Sequence, residues 1–179
     1  GRCEDRTLAS GTAMGRWAWS SDALDFDSDG YDDLYVVNGM LTRERGPQDL
    51  DGFFWRQVVA RSPLTRAKGT PYDDAWQAIN QLLVHQSIAS RQRNVLFRND
   101  GKGGFDEVSG AAGLDLDQDG RSFAVLDLDR DGDPDLAIMA ARQTPHLRIF
   151  RNDLTTRQGG SAAALTVRLT GTASNRDAL

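Results

Sequence analysis

Nine residues, Asp127-Leu128-Asp129-Arg130-Asp131-Gly132-Asp133-Pro134-Asp135, place carboxylates at loop positions 1, 3, 5 and 9 and a glycine at position 6. Apolar runs flank the loop at residues 122–126 and 136–140, so the pattern predicts strand, acidic turn, strand. The same arrangement stands at Asp25-Phe26-Asp27-Ser28-Asp29-Gly30-Tyr31-Asp32-Asp33, followed by the apolar residues 34–37. A chain that carries this unit twice is a repeat, and its fold has to accommodate both copies equivalently.

Alternating aspartates in a tight turn aim several oxygens at one centre, which suits calcium, a hard cation that takes six to eight oxygen ligands at flexible angles. The spacing assigns Asp127, Asp129, Asp131 and Asp135 as side-chain ligands of one site, with the Asp133 carbonyl beside them. Asp25, Asp27, Asp29 and Asp33, with the Tyr31 carbonyl, form the other, so two calcium sites are expected. Gly30 and Gly132 supply the turn. An EF-hand needs a bidentate Glu at position 12 and flanking helices; Val36 and Ile138 stand there, inside apolar strands. Magnesium prefers fewer carboxylates and keeps its waters. Aspartates serving only as turn formers would leave four carboxylates repelling one another in both loops. A third run, Asp115-Leu116-Asp117-Gln118-Asp119-Gly120, has Phe123 at the ninth position and reads as a connecting loop.

The strand that follows each loop leads to a second shared signature: residues 95–100 and 147–153 both end in Phe-Arg-Asn-Asp. Asn99 lies 74 residues after the first loop aspartate and Asn152 lies 25 after its counterpart, a difference of 49. Between Asn38 and Asn94 the period lengthens from two to about three and a half. Phe54, Val58 and Val59 fit one helix ended by Pro63; Trp76, Ile79, Leu82 and Leu83 fit a second, introduced by Pro71 with Asp73 as N-cap. The first unit therefore carries a helical insertion over about 42–92, with Arg43, Arg45, Arg56, Arg61 and Arg66 on its solvated face. Trp17 and Trp19 read as core packing. Gly101-Lys102-Gly103-Gly104 reads as a hairpin turn, since the Gly-Lys-Ser/Thr ending and following helix of a phosphate loop are both missing.

Short antiparallel strands with an acidic loop per unit suggest propeller blades, and a closed ring takes at least about four. The remaining blades are expected either from a longer protein or from partner chains. A net charge of −5 argues against a nucleic-acid partner or an anionic membrane surface, and no apolar run approaches the ~20 residues of a membrane span. The single cysteine, Cys3, is a free thiol or pairs outside these residues.

The loops resemble the FG-GAP/VCBS repeats of integrin-α-like β-propellers, with their D-x-D-x-D-G-x-x-D pattern. Asn99 to Phe105, then Ser109 to Leu114, resemble the Asn-Asp-Gly-x-Gly-x-Phe turn and Ser-Gly-x-x-Gly-Leu link of the cartilage acidic protein/ASPIC-UnbV group. Residues 165–172 and 174–177 are similar to the opening of the ASPIC/UnbV domain. The resemblance implies an all-β chain, part of a seven-bladed calcium-binding propeller over 1–153, with a truncated ASPIC/UnbV-like domain over 154–179. It also implies a secreted or cell-surface location and a role in binding or adhesion, with a protein or glycan ligand and possible assembly with other chains.

The leading functional expectation is thus a non-enzymatic extracellular binding or assembly module stabilised by structural calcium. A polysaccharide-acting propeller enzyme is the main rival, but the metal loops claim most of the clustered aspartates. His85, on the second helix, and His146, before a strand, read as surface or packing residues. A polymer-forming scaffold subunit, completed by strand pairing with neighbouring chains, is the third.

Overall fold

The computed structural model describes residues 2–43, 49–65 and 67–154. The expected ASPIC/UnbV-like segment lies, apart from Leu154, outside the described residues, as do Arg45 and Arg66. Two antiparallel sheets carry the architecture. The first joins β1 (Ala18–Leu24), β2 (Asp33–Asn38), β3 (Val95–Asn99) and β4 (Phe105–Glu107) in sequential order; the second joins β5 (Gly120–Leu126), β6 (Asp135–Ala140) and β7 (Leu147–Phe150).

Their registers coincide. Leu24 pairs with Asp33 and Leu126 with Asp135; Ala18 pairs with Asn38 and Gly120 with Ala140; each hairpin is irregular just inside its open end, at Ala18/Ser20 and Gly120/Ser122. Every one of these positions in the second hairpin is its counterpart in the first plus 102. The third strands agree as well: Leu34 faces Phe97, 63 residues on, and Leu136 faces Phe150, 14 on, which recovers the 49-residue difference as one insertion between β2 and β3. The sheets are mostly antiparallel β-structure of the kind a propeller contains, and they do not close on themselves.

Alternation assigns the faces. Tyr35 and Val37 of β2, Leu24 of β1 and Leu96 of β3 pack on Leu136 and Ile138 of β6, with Leu114 between them and the Phe123 ring edge-on to Tyr35 at 5.0 Å. Val36, Val95 and Phe97 form a smaller cluster on the opposite face of the first sheet. The second sheet's own outer face, equivalent to the covered Tyr35/Val37/Leu96 face, shows Met139, Leu147 and Ile149, each about half exposed.

Within the core, Tyr35 is fully buried; its hydroxyl donates to the Leu114 carbonyl (3.0 Å) and accepts from Asn94 Nδ2 (3.0 Å). Burial pushes the phenol far above its ordinary range. Asn94 Oδ1 in turn accepts the Asn38 N–H (2.9 Å), and Asn38 Nδ2 donates to the Arg93 carbonyl (2.9 Å). This network closes the base of the insertion against the sheet.

The short helix α1 (Thr7–Ser10) precedes the first sheet. The insertion begins with α2 (Asp51–Phe53), which continues as a π turn over Phe54–Val58 and a 3-10 turn over Val59–Arg61, and then forms α3 (Pro71–Leu82). A further short helix, α4 (Ser109–Ala112), links the sheets. The N-cap of α3 is Thr70, not Asp73: Thr70 Oγ1 accepts the Asp73 N–H (3.2 Å), while the Asp73 carboxylate, inside the first turn, accepts from Gly69 N–H and Gln77 Nε2. With proline at the first helical position, the cap has to sit one residue ahead of it.

The tryptophans depart from the core assignment. Trp17 stacks on Trp55 and Phe54 of the insertion, 5.2 and 5.8 Å between centroids, and Trp19 lies near the surface beneath the Arg121 guanidinium, 4.5 Å from its ring. Arg121 also donates to the carbonyls of Gly39, Met40 and Gly120, tying the second sheet to the root of the insertion. Arg43 is likewise more than a solvated cation, because its Nη2 donates to the Leu83 carbonyl (3.0 Å).

Replacing Tyr35 by Phe strands a buried amide and a carbonyl. Urea unfolding is expected to show a loss of about 1–3 kcal/mol at unchanged m value.

Candidate metal loops

Each acidic loop spans the turn between the first two strands of its sheet, β1 to β2 and β5 to β6. Two left-handed residues shape each turn at equivalent positions: Ser28 (φ 58°) and Gly30 (φ 90°) in the first, Arg130 (φ 66°) and Gly132 (φ 94°) in the second. The glycines were legible in the sequence. The left-handed Ser28 and Arg130 were not, since neither residue type favours that conformation.

The structure gathers carboxylate oxygens of Asp25, Asp27 and Asp29 within 4.8 Å of one another, and likewise those of Asp127, Asp129 and Asp135. Asp25 also organises its own loop, accepting the Asp29 and Gly30 N–H groups (both 3.0 Å). Asp29 accepts the Tyr31 N–H (2.9 Å) and Asp131, at the equivalent position, accepts that of Asp133 (3.0 Å). Asp131 stands outside the second trio, and Asp33 outside the first. Tyr31 is half exposed, with its ring against Gly101, and Asp133 is buried.

The ninth-position aspartates have a second task. Asp33 is fully buried; Oδ2 accepts the Phe26 N–H (2.9 Å) and Oδ1 the Asn99 N–H (2.7 Å). Asp135, also fully buried, repeats this with Leu128 (2.6 Å) and Asn152 (2.7 Å). One carboxylate therefore clasps the start of the loop to the end of the third strand. The asparagines complete the clasp from their side. Asn99 Nδ2 donates to the Asp32 carbonyl (3.0 Å) and Asn152 Nδ2 to that of Pro134 (3.4 Å), the equivalent residue. Asn152 Nδ2 also reaches the Phe26 carbonyl (2.8 Å), so the residue that clasps the second loop also holds the first. The recurring Phe-Arg-Asn-Asp ending was the sequence signal for these partners.

Electrostatics sets the loops apart from ordinary turns. Burial, Asp29 and Asp25 push the Asp27 carboxyl above the usual carboxylate range, with Arg98 opposing. Partial desolvation, Asp131 and Asp135 push Asp129 up, against Arg151, whose Nε lies 3.7 Å from the Asp129 carboxylate. Asp27 Oδ1 is shielded from solvent with no hydrogen-bond partner among the described residues. An all-oxygen donor set, crowded negative charge and a shielded oxygen without a proton donor fit a hard divalent cation such as calcium.

The third acidic run does not gather. Asp115 pairs with Arg93, Asp117 with Arg91 (3.2 Å), and buried Asp119 accepts the Thr42 N–H (2.8 Å) and hydroxyl (2.7 Å). It is a connecting loop. The Gly101–Gly104 turn is likewise filled from within, by Asp100 Oδ1 accepting the Lys102 and Gly104 N–H groups.

Three outcomes are expected. Asp33→Ala and Asp135→Ala each leave two amides unpaired and should cost about 2–5 kcal/mol in urea unfolding in chelator, and Asp135→Ala should lose more in calcium, because its carboxylate belongs to the second trio. Gly30→Ala meets open space, so only its left-handed backbone is penalised, at about 1 kcal/mol. In chelator, a carboxyl whose folded pKa is raised favours the folded state increasingly as pH falls toward the unfolded value of about 3.9. The stability advantage of Asp27→Asn over the parent chain should therefore be full at neutral pH and shrink as the pH falls toward about 4.

A comparison with curated proteins gave no match. Residues 83–138, running from the end of the insertion through β3, β4, α4 and β5 into β6, match the model of the FG-GAP-like repeat.

Proposed function

We propose that the two sheets are adjacent blades of a calcium-loaded β-propeller that serves as an extracellular binding or assembly module rather than a catalyst. The observation that carries the reading is the equivalence of the two loops: the same nine-residue spacing, the same left-handed positions and a carboxylate trio in each. In the first loop Asp25, Asp27 and Asp29 would hold the ion, and in the second Asp127, Asp129 and Asp135. Calcium bound there would neutralise the crowded charge and stiffen the turn between two strands, stabilising the fold by mass action. Millimolar calcium outside cells suits loops of this modest, partly exposed kind.

An assembly role draws on a separate observation. The first sheet buries its Tyr35/Val37/Leu96 face under the second sheet, whereas the equivalent Met139/Leu147/Ile149 face of the second is half exposed. Such a face matches what a further blade would cover, supplied by the same protein or by a partner chain. Membership in the ASPIC/UnbV group and a seven-bladed ring belong to this proposal as its finer form. No helix among the described residues is long and apolar enough to cross a membrane.

The test is thermal unfolding with calcium and after chelation, in the parent chain and in a variant carrying Asp127→Ala and Asp129→Ala. Calcium should raise the midpoint, by about 2.7 kcal/mol of stabilisation at a hundredfold excess over Kd for one site, and the variant should lose part of that gain. An identical melt with and without calcium would remove the metal assignment.

A further inference from the structure

At the end of the sheets opposite the acidic loops, where β2 and β6 finish, a groove of about 510 Å³ opens between the root of the insertion and the β6–β7 turn. Three chain segments far apart in sequence line it: Thr42 and Arg43, then His85 beyond the end of α3, then Arg142 and His146. His85, expected on the helix, stands instead in the turn after Leu82. The chain's only two histidines, 61 residues apart, thus meet at one groove.

Among the described residues, no carboxylate lines this groove. Asp119 is the carboxylate tied to its wall, and it is buried and already accepts the Thr42 N–H and hydroxyl. Arg43 is held in place by its Nη2 bond to the Leu83 carbonyl and by its N–H donation to Ser87 Oγ (3.0 Å). Its Nε is shielded from solvent with no acceptor among the described residues. His146 sets Nδ1 3.3 Å from the Ala140 carbonyl; a carbonyl only accepts, so Nδ1 carries the proton there and Nε2 is left for a ligand. Arg121 lies behind the groove, engaged with three carbonyls, and the Arg142 charge adds to burial in lowering its pKa. Positive charge is concentrated here in a chain whose net charge is −5.

We propose that this groove binds an oxyanion of the sulfate or phosphate type, held by the guanidinium groups of Arg43 and Arg142 with the His85 and His146 rings beside them. Guanidinium N–H groups supply directed donors to such oxygens, and an imidazolium donates from both nitrogens. Among the described residues, Asp119 and Arg91 are tied to Thr42, Asp49 bridges Ser87 beside Arg43, and Arg121 and Arg142 complete the charged groups around the groove. The inference stands independently of the calcium reading, since none of the loop aspartates lines the groove.

With two histidines in the chain, their ring C–H signals in proton NMR report on this groove directly, and His85→Gln assigns them by elimination. The full 179-residue chain is titrated with sodium sulfate, against sodium chloride at matched ionic strength. Both histidine signals should move together and saturate, with sulfate at least about fivefold tighter than chloride. Arg142→Gln, an exposed substitution, should weaken sulfate several-fold with an unchanged circular dichroism spectrum, and Asp127→Asn should leave it unaffected. A monosaccharide sulfate in place of the inorganic ion then separates two sources of the same chemistry: tighter binding assigns the groove to a sulfated sugar, equal binding to the anion alone. Movement of only one histidine, an equal response to chloride, or full sulfate affinity in Arg142→Gln would overturn the site.

Discussion

The carboxylate at the ninth loop position is the hinge of the architecture. Asp33 and Asp135 are each withdrawn from water, and each accepts one amide from the start of its loop and one from the end of the third strand. A buried carboxylate is tolerated only when its oxygens are met by donors. Here those donors come from segments that hydrogen bonding within the strands would not otherwise join. Three strands are thus fixed at one end by a single side chain, and the first two aspartates of the loop are presented outward together. Asn152 extends the arrangement across the sheets by donating to Phe26, so the two loops are set relative to each other. The loop's shape comes from the protein, and a cation would find most of it already formed.

Much of this was legible in the residues. Apolar runs beside the acidic loops, the repeated Phe-Arg-Asn-Asp endings and the glycine turn at 101–104 marked the strands, and the loop repeat gave the equivalence of the sheets, down to an insertion whose size follows from one subtraction. What stayed hidden was what depends on partners distant in sequence. Nothing local in Ser28 or Arg130 announces a left-handed backbone; the symmetric constraint of the turn imposes it. Trp19 reads as a core residue because alternation counts hydrophobicity, yet its neighbour is the guanidinium of Arg121, about a hundred residues away. Asp73 resembles a cap by residue type, but Pro71 moves the cap to Thr70. His85 and His146 look like unrelated surface residues until the insertion and the β6–β7 turn are placed side by side.

The two ends of the sheets differ in charge. The β1–β2 and β5–β6 turns gather aspartates, with Arg98 and Arg151 as opposing charges beside them. The opposite end gathers Arg43, Arg142 and two imidazoles around one groove. The modest net charge of −5 conceals this separation, and a field of this kind orients an approaching charged partner before contact.

The root of the insertion carries a consequence for how such a scaffold can change. Asn38 and Asn94 are locked to each other across the gap where the chain leaves β2 and re-enters β3, and Arg121 grips the adjacent carbonyls. The first sheet therefore keeps the pairing of the second although 49 more residues lie between its second and third strands. Closing a longer loop adds little entropy cost once its ends are held. The Asn38–Asn94 lock works as a socket: whatever polypeptide is plugged in between, from a tight turn to a helical pair, the sheet beneath it is left undisturbed.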